Sequence, residues 1–187
     1  VKRRTGAIAL GHEGAHMRIV DLSREIYHRA PSYPGQPPII HGVWKSHAEA
    51  FVDSGNVHGN SVMYVSMPDH GGTHLDAPVH FSEQGQSSEQ IPLTQLIAPA
   101  VVIDIRDKVA QAPDYLLTRD DVLAFEQTHG VIARGSIVLL STGWSSRWPD
   151  KLAYLGDDTP GDASHLHFPS YGPDALRLLI ARGVSVI

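Results

Sequence analysis

The sequence predicts an α/β fold, because runs typical of buried strands alternate with capped helices in the second half of the chain. The chain has 187 residues, of which 42% are hydrophobic and 19% are charged. This composition lies in the globular range, and the length suits a core large enough to fold without a partner. One domain of strands and helices is therefore expected.

The first half of the chain is predicted to contain two strands separated by an irregular segment. Arg18–Leu22 is a short run with apolar residues, which indicates a first strand. The prolines between Pro31 and Pro38 then mark an irregular stretch. Ser61–Met67 has two alternating sets of side chains, and this pattern predicts a second strand.

The second half is predicted to follow the order strand, helix, strand, helix, strand. Ala100–Ile105 and Ile137–Leu140 are short apolar runs typical of buried strands. Helices are predicted over Thr118–Thr128 and from Gly172 to Gly183, because each begins with a capping residue or proline and ends at a glycine. Residues 184–187 are predicted to begin a third strand. The buried face of the first helix and of the turn after it is expected to consist of Val122, Leu123, Phe125, Val131 and Ile132.

The predicted elements also suggest domain boundaries. Residues 1–16 precede the first predicted strand and are expected to be a disordered extension, so the domain is expected to span residues 17–187. The last predicted strand is still apolar at Ile187, and so short a strand pairs poorly, so we expect the domain to be truncated there. Trp144–Pro169 is rich in Asp, Gly, Pro and His and is predicted to be one long loop.

Charge and composition exclude several classes of protein. The formal net charge is -5, and Lys2–Arg4 is the one basic cluster, which argues against binding to nucleic acid or an anionic membrane. No apolar run approaches the roughly 18 residues that a membrane span needs. The chain has no cysteine, which excludes disulfides, thiolate catalysis and zinc sites built on sulfur. This composition fits a reducing compartment, so we expect a cytoplasmic protein.

The segment with the most chemistry is His70-Gly-Gly-Thr-His-Leu-Asp-Ala-Pro-Val-His80. Its glycines and Pro78 break helices, so its two histidines cannot form the helical metal motif of zinc proteases. On a straight strand, His70 and His74 would be about 13 Å apart at roughly 3.3 Å per residue. Two nitrogens bound to one ion at about 2.0–2.1 Å must approach within about 4 Å. The backbone must therefore turn sharply, and Gly71–Gly72 is where a turn costs least.

A turn of this kind would allow His70, His74 and Asp76 to bind one divalent ion. Two imidazoles and a carboxylate suit zinc, with manganese as the alternative, and three protein ligands leave a position open for water. The ion would lower the pKa of that water, and His80 could take up and return its proton. Alternatively, these side chains line a polar loop and bind nothing. The residues predicted to orient the ligands are Gly72 and Thr73.

The segment resembles the His-x-Gly-Thr-His-x-Asp-x-Pro-x-His signature of the cyclase family of metal-dependent hydrolases, which includes bacterial kynurenine formamidase and isatin hydrolase. Every fixed position is present, at residues 70, 72, 73, 74, 76, 78 and 80. The surroundings also agree: Asp21–Ser23 near the start, Ser141–Trp144 after a strand, and Phe168–Pro169 before the last helix. The resemblance covers about Ile19 to Ile187.

This resemblance implies a swivelling β/α/β domain with a mixed sheet and flanking helices, assembled as a homodimer or homotetramer. It implies that His70, His74 and Asp76 hold the first of one or two zinc or manganese ions, with His80 as the catalytic acid and base. The implied reaction is hydrolysis of a C–N bond in a small amide. N-formylkynurenine, from tryptophan catabolism, is the first substrate expected, an isatin-like cyclic amide the second, and a lactone or polyketide intermediate the third.

The substrate pocket is predicted from the long loop, at Trp144, His165, His167 and Phe168. Trp144 could stack on an aromatic substrate or simply pack in the core. His165 or His167 could instead be a fourth metal ligand, which would make the ion structural. Ser141 is not predicted to be a nucleophile, because the chain has no Gly-x-Ser-x-Gly motif. A non-catalytic protein that binds a ligand at its metal loop is the rival to an enzyme.

Overall fold

The computed structural model describes residues 18–49, 51–53, 56–157 and 159–187. The chain divides into two compact units. One contains Pro38–His74 and the described residues up to Ala30, and the other contains Pro31–Pro37 and Leu75–Ile187. The extension predicted at residues 1–16 lies outside the described residues, and the single domain over residues 17–187 stays a prediction.

The first unit contains two antiparallel strand pairs. Its strands are β1 (Ile40–Lys45), β2 (Phe51–Asp53), β3 (Asn56–His58) and β4 (Val62–Ser66). Strand β1 pairs with β4, and β2 pairs with β3. The register of β1 shifts between Val43 and Lys45, which is the position of a bulge. The strand predicted over Ser61–Met67 is confirmed as β4.

The strand predicted at Arg18–Leu22 is wrong. This segment has no regular secondary structure, and Leu22 is 80% exposed. Apolar residues favour a strand only where a neighbouring strand supplies hydrogen-bond partners, and none of the described strands pairs with this segment. The proline-rich stretch between Pro31 and Pro38 is irregular, as predicted.

The second unit contains the parallel strands. They are β5 (Ala100–Asp104), β6 (Leu116–Leu117), β7 (Ile137–Ser141) and β8 (Ser170–Tyr171). Strand β5 pairs in parallel with β7, and β6 pairs in parallel with β8. Ile137 also forms a parallel bridge with Val186, and the Val138 amide donates to the Val186 carbonyl at 2.9 Å. The strands predicted near residues 100 and 137 are confirmed, and the last predicted strand is present as this bridge.

Strands β5 and β7 are buried on one face only, which differs from the prediction. Ile103 and Val138 belong to the core, whereas Val102 and Leu139 are exposed. Successive side chains of a strand point to opposite faces, so an apolar run does not by itself show that both faces are covered. The prediction of buried strands is therefore confirmed for one face of this pair and wrong for the other.

The described part of the second unit contains five α-helices, and capping residues mark the ends of the two that were predicted. They are α1 (Leu93–Leu96), α2 (Arg106–Gln111), α3 (Arg119–His129), α4 (Lys151–Leu155) and α5 (Pro173–Arg182). The Thr118 side chain accepts a hydrogen bond from the Asp121 amide at the start of α3, and α5 ends at Gly183 in the left-handed conformation. Both predicted helices are confirmed. The predicted long loop is wrong in part, because α4 and a 3-10 turn at Trp144–Arg147 lie within it.

The core of the second unit forms where α3 and α5 pack beside the parallel strands. Val131 was predicted to be buried, but it is 68% exposed, whereas the neighbouring Ile132 is buried. The Ile132 amide donates to the Glu126 carboxylate at 3.1 Å, which holds this residue inward. The buried apolar residues of this core are Ile103, Ile105, Val109, Leu117, Val122, Ile132, Val138, Trp144, Ala175 and Leu179.

A buried charge pair joins α3 to α5. The Glu126 carboxylate, whose residue is 8% exposed, accepts hydrogen bonds from Nε and Nη2 of Arg182, both at 2.7 Å. These bonds from Arg182 keep the pKa of Glu126 below its usual value. The geometry is bidentate, so the pair fixes the relative position of the two helices as well as neutralising the charge.

Parallel strands connected through helices define the α/β class, as predicted, and the described sheets are small and flanked by helices. Among the described residues, no helix has both the length and the apolar character to cross a membrane.

Candidate metal centre

A sharp turn follows β4 and brings two histidines together. The Gly71 amide donates to the Pro68 carbonyl at 3.1 Å, and Gly72 adopts a left-handed φ of 73°. Nδ1 of His70 and Nε2 of His74 are consequently 3.2 Å apart. The predicted turn at the glycine pair is therefore present, and Gly72 is the residue whose conformation requires glycine.

Asp76 completes a group of three potential ligands. One ligand atom from each of His70, His74 and Asp76 lies within 4.8 Å of the others, and all three come from seven consecutive residues. Two nitrogens that bind one tetrahedral zinc at about 2.0–2.1 Å are about 3.3 Å apart. The observed separation of the two imidazole nitrogens matches this value. The residues present therefore fit a divalent ion.

Each imidazole has a polar neighbour near the nitrogen that faces away from the other ring. Nδ1 of His74 is 2.9 Å from the Gly72 carbonyl oxygen, so this nitrogen carries the proton and Nε2 keeps the lone pair for a metal. Nε2 of His70 is 3.7 Å from the Asp69 carboxylate, on the side away from His74. Ligand histidines commonly place a carbonyl or carboxylate at the nitrogen that does not bind the ion.

The two glycines allow side chains to approach the backbone of the turn. A Cβ atom on Gly71 would lie 2.8 Å from Cε of Met67 and 3.5 Å from Cδ1 of the buried Ile39. Gly71 is therefore required for close packing rather than for its φ. Thr73, predicted to orient a ligand, accepts a hydrogen bond at its Oγ1 from the Arg24 amide at 2.9 Å.

His80 is held in a short 3-10 turn, Pro78–His80, whose shape depends on Gly85. The Val79 amide donates to the Gln86 carbonyl at 3.1 Å, which folds the following loop back onto the turn. A Cβ atom on Gly85 would lie 2.5–2.6 Å from the backbone of Pro78, so no larger residue fits there. The imidazole of His80 is exposed and packs edge-on against Phe81 at 4.4 Å between ring centroids.

Trp144 is positioned as a core residue. It is buried, and its indole N–H donates to the Tyr154 carbonyl at 2.8 Å. The guanidinium carbon of Arg147 lies 3.6 Å from the centre of the indole ring and covers that face. This arrangement favours packing over stacking on a substrate, and the role of Trp144 in a pocket stays a prediction.

The other predicted pocket residues lie close together in the chain, and one of them has an acidic partner. Nδ1 of His167 is 2.8 Å from Oδ2 of Asp114, and the Phe168 amide donates to Oδ1 of the same carboxylate at 3.1 Å. The His165 carbonyl packs against Gly156. His167 and Phe168 are exposed, so their side chains remain accessible to a ligand. Their role in a pocket, and that of His165, also stays a prediction.

Sequence reasoning missed three residues that lie beside the predicted site residues or the turn that holds one of them. They are Asp69 beside His70, Gly85 against the turn of His80, and Asp114 at His167. Asp69 is adjacent to a ligand in sequence, so its position was a usable signal. Gly85 and Asp114 gave no such signal, because each acts through a contact with residues several to many positions away.

Comparison with known proteins assigns the chain to a family. The model of the Cyclase family matches residues 20–187, so this protein belongs to that family. The match includes the turn at His70 and the segment up to His80.

Two curated relatives and one solved structure illustrate the similarity. The chain is 35% identical to an isatin hydrolase of Roseibium aggregatum over 125 residues, covering 65% of this chain and 46% of the relative. It is 30% identical to a kynurenine formamidase of Salinibacter ruber over 145 residues, covering 76% and 62% of the two chains. Isatin hydrolase A from Ralstonia solanacearum matches with a TM-score of 0.74 and 31% identity, over 89% of this chain and 64% of that one. The chain thus spans about half to two thirds of the relatives' lengths.

Proposed function

We propose that this protein is a metal-dependent hydrolase that cleaves a C–N bond in a small cyclic amide or N-formyl amide. The observation that carries the proposal is the convergence of His70, His74 and Asp76 in a member of the Cyclase family. Relatives named isatin hydrolase and kynurenine formamidase support the choice of amide substrates.

His70 and His74 would hold a divalent ion through Nδ1 and Nε2, and Asp76 would supply a carboxylate oxygen. The ion, when bound, supplies a Lewis acid that polarises a carbonyl and makes water more acidic. The three residues contribute two neutral imidazoles and one anion, a set that suits zinc and also accepts manganese. The Gly72 carbonyl keeps the proton of His74 on Nδ1, so that its lone pair remains available at Nε2.

His80 is proposed to move the proton during hydrolysis. Its exposed imidazole can accept a proton from water and return it to the leaving nitrogen, because histidine exchanges protons near neutral pH. The contact of Gly85 with Pro78 fixes the backbone turn that presents this imidazole. A histidine in a rigid turn keeps the same approach to the substrate in each cycle, which favours proton transfer.

The substrate panel should contain isatin, N-formylkynurenine and an aryl lactone. N-formylkynurenine is the first substrate expected from the sequence, and isatin is its nearest competitor. Opening of the isatin ring and release of formate are measured separately, with zinc or manganese supplied to the protein. Two variants are assayed beside the unmodified chain: His80→Ala, and His129→Ala as a matched exposed histidine at the end of α3.

The expected result is hydrolysis of an amide by the unmodified protein and by His129→Ala. His80→Ala should lose about 10²–10⁴-fold in rate, the usual contribution of a general acid and base, while it still binds metal. Metal binding without turnover of any substrate would instead support the rival, a non-catalytic binding protein. Turnover of the lactone alone would support the third candidate, a lactone or polyketide enzyme of the same family.

The identity and the number of the bound ions can be measured directly. Metal analysis of protein purified without chelators would distinguish zinc from manganese and one ion from two. The homodimer or homotetramer and the cytoplasmic location predicted from the sequence stay predictions.

A further inference from the structure

A segment near the beginning of the described chain packs against the turn that carries the metal ligands. The Arg24 amide donates a hydrogen bond to Oγ1 of Thr73 at 2.9 Å, although the two residues are 49 positions apart. Next to this bond, a Cβ atom on Gly72 would lie 3.2 Å from Cγ1 and 3.4 Å from Cδ1 of Ile26. The two contacts involve consecutive residues of the turn, and both come from the same short segment.

These contacts act on the residues between the two imidazole ligands. Gly72 and Thr73 lie between His70 and His74 in the chain. The carbonyl of Gly72 bonds to Nδ1 of His74, so a shift of Gly72 would rotate the His74 ring. The left-handed φ of Gly72 is one that a free chain leaves readily, and an outside contact is needed to keep the turn in one conformation.

We propose that Ile26 and the Arg24 amide are positioning groups for the metal centre, an inference that rests on the proposed function. The Ile26 side chain packs beside Gly72, where any other residue would carry its Cβ atom, while the Arg24 amide holds the hydroxyl of Thr73 by a hydrogen bond. Together they hold the backbone between His70 and His74 in the shape that puts the two ring nitrogens 3.2 Å apart. A site ordered before the ion arrives binds it more tightly, because less conformational entropy is lost on binding.

The test measures metal affinity rather than catalysis. Zinc and manganese binding to the full chain is determined by competition with a chromogenic chelator. Ile26→Ala removes the contact with Gly72, and Thr73→Val removes the acceptor of the Arg24 amide. Thr73→Ser keeps that acceptor and serves as the conservative variant. Ile19→Ala is the matched control, because Ile19 is 49% exposed in the same segment and Ile26 is 41% exposed.

Ile26→Ala and Thr73→Val should each weaken metal binding by about 10–100-fold, the loss usual for residues that orient ligands. Thr73→Ser and Ile19→Ala should bind metal within about twofold of the unmodified chain, because they leave both contacts in place. Thermal unfolding of the metal-free proteins separates positioning from stability, since a merely structural role would lower the melting temperature without changing affinity. Should Ile26→Ala fail to fold, Ile26→Val removes Cδ1 alone and should give a smaller loss in the same direction.

Two results would overturn the proposal, and they differ from each other. If Ile26→Ala and Thr73→Val bind metal as tightly as the unmodified chain, the positioning role is wrong while the proposed hydrolase stands. If the unmodified chain binds neither zinc nor manganese, the proposed function fails, and the positioning role fails with it.

Discussion

Replacing Gly72 by alanine should damage the metal centre in a way that a matched glycine replacement elsewhere does not. Gly72 has a φ of 73°, and an added Cβ would meet Ile26 at 3.2–3.4 Å. Alanine in the left-handed region costs about 1–2 kcal/mol. The Ile26 side chain must also shift by a few tenths of an ångström, or the turn must move away from it.

The expected loss of affinity follows from the strain. In the metal-free protein the turn can relax out of the left-handed conformation, but ion binding requires it, because His70 and His74 converge only across this turn. The strain of about 1–2 kcal/mol is therefore subtracted from the binding free energy, which corresponds to about 5–30-fold weaker binding. Displacement of the Gly72 carbonyl from Nδ1 of His74 adds to this loss.

The assay compares Gly72→Ala with Gly135→Ala by chelator competition and by urea denaturation. Gly135 has a φ of 79° with open space around its Cβ position, so alanine there carries similar strain without a steric contact. Gly135→Ala should lose about 1 kcal/mol or more of stability for this backbone conformation, whereas metal-free Gly72→Ala should lose less, because its turn can relax. Only Gly72→Ala should lose metal affinity. Equal affinity in the two variants would refute the argument that the left-handed turn shapes the site.

Three further predictions concern His80, the proposed acid and base, and the second unit. With saturating metal, His80→Ala should lower kcat with little change in KM, because a general acid and base acts in the chemical step, and an unchanged kcat would argue against His80 as the base. Arg182→Met should lower the free energy of unfolding in urea by about 2–4 kcal/mol, because it leaves the buried Glu126 carboxylate without the Arg182 guanidinium. Adding Glu126→Gln to this variant should restore part of the lost stability. Burial alone would raise the pKa of Asp121, but hydrogen bonds, first among them the one from Lys108, outweigh it and lower the pKa to about 2. The stability that this carboxylate contributes is therefore complete above its unfolded pKa and is lost as the pH falls from about 4 to about 2. On acidification, the free energy of unfolding of Asp121→Asn in urea should therefore fall by about 1–2 kcal/mol less than that of the unmodified protein.

Much of the candidate site could be predicted from the sequence because its ligands are local. His70, His74 and Asp76 lie within seven consecutive residues, and the spacing argument required a sharp turn at the glycine pair between them. The structure contains that turn at Gly72. The two helices of the second unit were equally predictable, since a capping threonine, an early proline and terminal glycines act within one turn of the backbone.

The predictions that are wrong concern what lies beside a segment in space. Arg18–Leu22 has the composition of a strand, but strand formation also needs a partner, and sequence periodicity cannot show whether one is present. The same limit explains Val102 and Val131, whose apolar side chains are exposed. The neighbouring residues in the folded structure decide whether a side chain is buried. Its hydrophobicity sets only how much free energy is gained on burial.

The sequence by itself predicted the candidate ligand set of the metal centre, the α/β class and the ends of the main helices, because these depend on residue chemistry and on contacts within a few positions. Tertiary structure decided that Ile26 and the Arg24 amide lie against the turn, and that Glu126 meets Arg182 across two helices. These contacts join residues about 50 positions apart, and their geometry exists only after the intervening chain has folded.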